Sequence, residues 1–193
     1  MNNSATTRTI TKIALEYNGN DQGTAEMISS NCLLSSTPEG QYLEMKTVSE
    51  RNPNVKKWAL TGYISQPDEI GNKLKDEEFA EIATKALDKI GVTNKNQYRL
   101  DIHNSTKHKH IHFVVNRIDI SGKCTVKSHD IGKRFGDAVR EVCKERGLLT
   151  DIEIGIQKKA EMLKSLTEAI RSENNFDDLI LAMKKKGYEI QWS

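Results

Sequence analysis

Four of the five histidines in this 193-residue chain lie within ten consecutive positions, from His103 to His112. Imidazole is the commonest metal-binding side chain in proteins, so this cluster is the part of the sequence best suited to chemistry. His108, His110 and His112 occupy alternate positions, and alternate side chains of a β-strand project from the same face. Converging neutral imidazoles can hold a divalent cation, and a set of three leaves coordination positions open to a substrate.

A β-hairpin is the predicted scaffold of the cluster. Residues 97–103 and 110–118 are rich in the β-branched and aromatic residues that favour strands, and the N-S-T-K run after His103 favours a turn. A tight turn would return His103 to the side of His108, so three or four imidazoles would share one patch. Two alternatives to a catalytic metal site are possible for these histidines. They could be surface residues on a polar sheet face, or they could form a structural zinc site. The three cysteines form no C-x-x-C pair that would favour the zinc site.

The rest of the chain predicts a mixture of helices and strands. The clearest helix covers residues 76–90, where apolar residues recur at helical spacing and Gly91 follows as a cap. Residues 1–7 are expected to be frayed. Further helices are predicted over 24–34, 132–146, 156–171 and 176–186, and strands over 9–15, 55–66, 123–128 and around Tyr42. We therefore expect an α/β (α+β) fold with a mostly antiparallel sheet of about five strands. Helices would pack on one face of this sheet, and the histidines would lie on the other.

The character of the sequence changes after residue 150. Residues 1–150 are predicted to form the main domain, and residues 151–193 a C-terminal helical extension. A strand, Y-E-I-Q-W, is predicted to begin just before Ser193, so we expect the chain to be part of a longer protein.

Composition describes a soluble globular protein, with 36% hydrophobic and 29% charged residues. The sequence contains no apolar run of the ~20 residues that a membrane span needs, and its N-terminus does not resemble a signal peptide. Together with three unpaired cysteines, these features predict a cytoplasmic location. The net charge of +2 is too small to indicate nucleic-acid binding by itself, but basic residues concentrate around the histidines, including Arg99, Lys107, Lys109 and Arg117.

The run H-x-x-x-x-H-x-H-x-H-F-V-V-N-R-I-D resembles the metal-binding motif of the relaxase (mobilisation nuclease) family, which carries the H-U-H signature of HUH endonucleases. In this resemblance His103, His110 and His112 match the three metal ligands. His108 matches an additional histidine, and the pair at 116–117 matches the N-R that follows the motif. The resemblance implies an HUH-endonuclease-like nuclease domain that uses Mg²⁺ or Mn²⁺, with Zn²⁺ as a further candidate.

The chain departs from the family pattern at two places. Family members often carry an acidic residue where Ser105 stands, so a supporting carboxylate would come from elsewhere, with Asp101 as a candidate. The strand predicted over 55–66 resembles the second motif of the family, with Thr61 or Ser65 as its hydroxyl residue. The histidine that often precedes this hydroxyl is missing.

The family nicks one strand of plasmid or transposon DNA at an origin of transfer, through a tyrosine that becomes joined to the 5′ phosphate. The resemblance implies that Tyr17 is this catalytic nucleophile, with Tyr42 as the alternative. His108 and Arg117 are expected to contact DNA phosphates. The implied partners are single-stranded DNA at a transfer origin and accessory mobilisation and coupling proteins.

Three other functions stay open at this point. A rolling-circle replication initiator shares the same chemistry, and a non-catalytic, metal-stabilised module would bind single-stranded DNA without cutting it. A small-molecule hydrolase is the third, although no apolar pocket signature accompanies the histidines. The sequence does not specify the DNA site or the oligomeric state.

Overall fold

A computed structural model describes residues 1–20, 25–67, 74–104 and 109–189. In this part of the chain, five strands form one antiparallel sheet in the order β1-β3-β5-β4-β2. The strands are β1 (Asn2–Arg8), β2 (Glu26–Asn31), β3 (Ala59–Ser65), β4 (Asn96–His103) and β5 (His110–Asp119). The helices are α1 (Lys12–Asn18), α2 (Pro38–Ser49), α3 (Asp76–Lys89), α4 (Ile131–Glu145), α5 (Asp151–Ser172) and α6 (Phe176–Lys185). The predicted α+β fold with a five-stranded antiparallel sheet is confirmed.

The hairpin of β4 and β5 lies at the centre of the sheet. His103 pairs with His110, and Asp101 pairs with His112, so these residues share one face. Intervening side chains such as Ile111 and Phe113 point to the opposite face and are fully buried. The hairpin prediction is therefore confirmed for its two strands, whereas residues 105–108 of its turn, which include His108, lie outside the described residues.

The main hydrophobic core lies between the sheet and helices α3 and α4. The rings of Phe113 on β5 and Phe135 on α4 pack with their centroids 5.0 Å apart. Burying a side chain of this size contributes about 1.5–3 kcal/mol. The helix predicted over residues 76–90 is observed as α3, and Gly91 follows it with a φ of 106°, as expected for a cap in the left-handed region.

Two shorter helices pack on part of the histidine face. Leu15 of α1 and Met45 of α2 form a second apolar cluster with Val114 of β5. The prediction that helices cover one face and histidines the other is confirmed for α3 and α4. The structure adds α1 and α2 at one end of the histidine face, next to the imidazoles.

The N-terminal segment differs from the prediction. Residues 1–7 were expected to be frayed, but Asn2–Arg8 form the edge strand β1, which pairs with β3 along its whole length. The strand predicted over residues 9–15 is not observed, because Lys12–Asn18 form the helix α1, which buries Leu15 completely. The alternation over residues 9–15 was too short to distinguish two turns of helix from a strand. Tyr17 consequently lies on a helix and not at the end of a strand.

Three further predictions of secondary structure were wrong. The segment predicted as a helix over 24–34 contains strand β2, because pairing with β4 overrides its local helical pattern. Tyr42 lies on α2, which begins with Pro38 and is capped by the Thr37 side chain. The strand predicted over 123–128 is reduced to one bridge between Ile118 and Cys124.

Helices α5 and α6 belong to a second compact unit that begins at Thr150. The side chain of Thr150 accepts a hydrogen bond from the Glu153 main-chain nitrogen, and Asn175 caps α6 in the same way. The helices predicted over 156–171 and 176–186 are thus confirmed. Most of the predicted strand Y-E-I-Q-W lies outside the described residues. In the described ranges, no helix is both long and apolar enough to cross a membrane.

Candidate active site

Three histidines converge at one end of the central hairpin. His103 ends β4, whereas His110 and His112 lie at the start of β5. One ring nitrogen from each lies within 4.8 Å of the others, and the ring centroids are 4.7–4.9 Å apart. The convergence follows from the direct pairing of His103 with His110 and from the two-residue period of a strand. Three imidazoles at this spacing are a donor set that could hold a divalent metal ion.

A buried carboxylate lies beside these histidines. Asp101 has no exposed surface, pairs with His112 across the hairpin, and interacts electrostatically with His103. Arg99 Nε donates hydrogen bonds to both carboxylate oxygens, at 2.7 and 2.9 Å, and Arg99 Nη1 donates to Gln41 Oε1 at 2.9 Å. Burial raises the pKa of Asp101, while Arg99 opposes this rise. Asp101 was the carboxylate suggested from the sequence, and Arg99 and Gln41 were not anticipated in this role.

The end of α1 contacts the histidine cluster directly. The carbonyl of Asn18 accepts a hydrogen bond from His103 Nε2 at 2.6 Å. Gly19 follows, and a Cβ at this position would lie 2.5 Å from Arg99 Nη2, so only glycine fits without displacing the guanidinium. Tyr17 immediately precedes these two residues and is 71% exposed. The segment that carries Tyr17 is therefore held against His103 and Arg99.

Tyr17 and His112 line the same open cleft. Its volume is about 590 Å³, and it is bounded by α1 and by strands β1 and β3. Lining side chains from the two strands include Ser4, Thr6, Arg8, Thr61 and Tyr63. The cleft thus brings an exposed phenol, an imidazole of the cluster and several hydroxyl groups to one space.

This arrangement agrees with what comparison with known families finds. The family model described as "Relaxase: MobA/VirD2-like, nuclease domain" matches residues 17–148. The chain belongs to this relaxase family. Searches of curated proteins and of solved structures found no match. The family that the histidine motif resembles is therefore confirmed. The matched residues of the relaxase extend from Tyr17 through β5 to just beyond α4.

Membership of the family gives the relaxase a nuclease domain of the DNA-nicking class. The three histidines lie within the matched residues, so they are its candidate active site. Relaxases of this family depend on a metal ion, and the donor set of His103, His110 and His112 fits such an ion.

Other residues singled out from the sequence lie elsewhere in the relaxase. Arg117 is 5% exposed, and its guanidinium donates to the carbonyls of Val126, at 2.9 Å, and Lys57. Burial lowers the pKa of Arg117. Seven positions separate Arg117 from His110 on β5, which is about 23 Å at the usual rise of a strand. The structure thus does not bring Arg117 to the histidines, and its contact with DNA stays a prediction.

Tyr42 and His108 complete the residues proposed from the sequence. Tyr42 is half-buried and packs against the cluster formed by α1, α2 and β5. This environment favours a packing role over a nucleophilic one. His108 lies outside the described residues, so its contact with DNA also stays a prediction.

The sequence did not reveal the side chains that β1 contributes to the cleft. Ser4, Thr6 and Arg8 alternate along this strand, and the register pairs Ser4 with Tyr63 and Thr6 with Thr61. Their period of two was a usable signal. It was missed because the first strand was predicted to begin at residue 9.

Proposed function

We propose that this relaxase nicks one strand of DNA at an origin of transfer, for plasmid or transposon mobilisation, with Tyr17 as the nucleophile. The observation that supports this proposal is that Tyr17 and His112 line one cleft while the adjacent Asn18 is bonded to His103. Nucleophilic catalysis needs the attacking group and the groups that stabilise developing charge to reach the same phosphate.

His103, His110 and His112 are the proposed ligands of a divalent metal, Mg²⁺ or Mn²⁺, with Zn²⁺ as a further candidate. When bound, such an ion supplies Lewis-acid stabilisation of the charge that develops on the non-bridging phosphate oxygens. Asp101 is proposed to orient the imidazole of His112, its partner across the hairpin, since metal-binding histidines commonly donate their second ring N–H to a carboxylate. For His103 the carbonyl of Asn18 takes this role. Arg99 would oppose the effect of burial on the pKa of Asp101 and direct its carboxylate through two hydrogen bonds.

The proposed reaction is a transesterification that conserves the number of phosphoester bonds. Tyr17 Oη bonds to phosphorus, the bond from phosphorus to the 3′ oxygen breaks, and the product is a 5′-phosphotyrosine. The phenolic proton is released, and the leaving 3′ oxygen becomes a hydroxyl. Because the energy of the broken ester is retained in the new one, the strand can later be rejoined. A neutral phenol is a weak nucleophile, so Tyr17 requires activation within the cleft.

Several wider features follow from the proposal. The substrate is presented as a single strand, because a duplex would not give Tyr17 access to its phosphates. His108 and Arg117 are the proposed phosphate contacts, and residues 1–150 are the proposed nuclease domain, with 151–193 as an extension. Accessory mobilisation and coupling proteins and a cytoplasmic location belong to the same proposal.

The deciding experiment combines the protein with labelled single-stranded oligonucleotides from the candidate transfer origin of its own genetic element, in the presence of Mn²⁺. Denaturing electrophoresis should show label that migrates with the protein, and Tyr17→Phe should remove this band. Adducts formed on replication origins but not on transfer origins would instead identify a rolling-circle initiator. Tight binding without an adduct on any origin would identify a non-catalytic DNA-binding module.

A further inference from the structure

The side chain of Arg99 joins three elements of the first compact unit. It is 6% exposed, and its Nε and Nη2 nitrogens contact the carboxylate of Asp101 on the same strand. Its Nη1 donates a hydrogen bond to Gln41 Oε1 on α2 at 2.9 Å. Its Nη2 also lies against Gly19, the residue that follows α1, where a Cβ would come within 2.5 Å of this nitrogen. Arg99 therefore connects the hairpin that carries the candidate metal ligands to both α1 and α2.

Gln41 holds this guanidinium from the side of α2. The residue is 1% exposed, and its side-chain amide is bonded at both ends. Oε1 accepts the hydrogen bond from Arg99, whereas Nε2 donates to the main-chain carbonyl of Ser35 at 3.0 Å. Because a guanidinium is planar, an acceptor fixed on one side of it constrains the direction of its other nitrogens. Gln41 thus helps to determine where Nη2 lies against Gly19.

The position of Gly19 determines the end of the helix that carries Tyr17. The main-chain N–H of Gly19 donates to the carbonyl of Leu15 at 3.0 Å and so closes the last turn of α1, which contains Tyr17. A displacement of the Arg99 guanidinium towards or away from Gly19 would therefore move the proposed nucleophile. Misplacement of a reacting group by about 1 Å can slow a reaction by about 100-fold.

We propose that Gln41 is a positioning residue for the covalent step. Through its bond to Arg99, it sets the position of Tyr17 relative to the candidate metal ligands. Gln41 acts through other residues on the bonds that form and break, so it is not itself a catalytic residue. Its loss should slow the attack of Tyr17 and leave the affinities for Mn²⁺ and for the oligonucleotide close to those of the wild type. This inference rests on the proposed function, because it takes Tyr17 as the nucleophile.

Single-turnover kinetics test the effect on the covalent step. Gln41→Met has a similar volume but accepts only weak hydrogen bonds, so the rate constant of adduct formation on a saturating, labelled transfer-origin oligonucleotide should fall roughly 10–100-fold. The oligonucleotide concentration that gives half the maximal rate should stay within a few-fold of the wild type. A residue needed only for folding would instead lower the fraction of protein that reacts, and that fraction would react at the wild-type rate. Ser49→Ala is the matched control, because Ser49 is also buried on α2 but donates to the carbonyl of Lys46 within the helix.

Two further variants test the route through Arg99. Gln41→Glu retains an acceptor for the guanidinium but lacks the amide N–H groups that donate to Ser35, so its rate constant should stay within about three-fold of the wild type. Gly19→Ala introduces the Cβ that meets Nη2, and with a φ of −85° the backbone itself tolerates alanine. This variant should slow adduct formation as Gln41→Met does. A wild-type rate constant in Gly19→Ala would overturn the route through Arg99, as would a rate constant of Gln41→Glu as low as that of Gln41→Met.

Fluorine NMR of the full-length protein locates Tyr17 without any cleavage. Mn²⁺ is paramagnetic and broadens the resonance of a fluorine on the Tyr17 ring more strongly the closer the two lie. At saturating Mn²⁺, Gln41→Met and Gly19→Ala should show weaker broadening than the wild type, while calorimetry gives Mn²⁺ affinities within a few-fold. Unchanged broadening in both variants would overturn the inference and leave the nicking proposal intact. If the wild type formed no adduct on any origin, the proposed function would fail, and the broadening would still decide whether Gln41 positions Tyr17.

Discussion

The main-chain carbonyl of Asn18 accepts a hydrogen bond from Nε2 of His103 at 2.6 Å. This bond connects the residue after Tyr17 to His103, the first of the three candidate metal ligands. In the chain, 85 positions separate Asn18 from His103. It makes the position of the proposed nucleophile depend on the same hairpin that supplies the metal ligands. Nucleophile and ligands would then approach a bound phosphate as one preorganised unit.

Tyr17→Phe should abolish formation of the covalent DNA adduct while oligonucleotide affinity stays within a few-fold of the wild type. We expect cleavage to fall by roughly a thousand-fold or more, because no other group replaces a lost nucleophile. Labelled oligonucleotides and denaturing electrophoresis measure the adduct. Tyr42→Phe is the matched control and should cleave normally, and an adduct that survives in Tyr17→Phe but not in Tyr42→Phe would reverse the assignment.

His110→Ala should weaken the binding of Mn²⁺ by roughly 10–100-fold or more. Loss of a residue that only orients a metal ligand already has an effect of this size, and His110 is itself a proposed ligand. Calorimetric titration measures the affinity, and adduct formation should fall in parallel. His129→Ala is the control, because that side chain is 90% exposed and bonds to Asp130. If elemental analysis found the same metal content in both variants, the three histidines would be refuted as the metal site.

Breaking the buried pair of Arg99 and Asp101 should destabilise the fold more than replacing both partners. Arg99→Leu leaves Asp101 uncompensated, with an expected loss of about 3–5 kcal/mol in the free energy of unfolding, measured in urea. The double variant Arg99→Leu with Asp101→Leu should recover much of this loss, because the charge that lacked a partner is gone.

The same double variant separates stability from function. If Asp101 orients the imidazole of His112, the folded double variant should still bind Mn²⁺ about 10–100-fold more weakly than the wild type. Wild-type affinity in a stably folded double variant would limit the pair to a structural role.

Arg117→Leu decides between the predicted DNA contact and the structural role that its burial indicates. If Arg117 only supports the fold, unfolding free energy should fall by about 1–3 kcal/mol, since two carbonyls lose their donor. The dependence of DNA affinity on salt should then be unchanged. If Arg117 contacts a phosphate, the slope of log affinity against log salt should shrink by about one. Arg8→Ala, an exposed lining residue of the cleft, provides the comparison for such a reduced slope.

The sequence determined the hairpin and the core helices α3 and α4, because the apolar residues of these elements recur with the period of a strand or a helix. Alternation through β5 places His110 and His112 on one face and Ile111 and Phe113 on the other, and this holds for any fold that buries the apolar face. The apolar stripe of α3 similarly required a helix with one buried side. The H-x-H motif within the hairpin was enough to indicate the family that the family model then matched.

Only the tertiary structure decided which segments form the edges of the sheet and where Tyr17 lies. Strands β1 and β2 are short and polar, and they are strands because β3 and β4 offer them hydrogen-bonding partners far along the chain. The burial of Arg117 depends in the same way on a long-range contact, because its guanidinium donates to the carbonyl of Lys57, 60 positions away in the chain. The sequence by itself determined which histidines share a face, because alternate side chains of a strand project from the same side of the sheet. The cleft that joins Tyr17 to that face came from long-range pairing, which no local pattern contains.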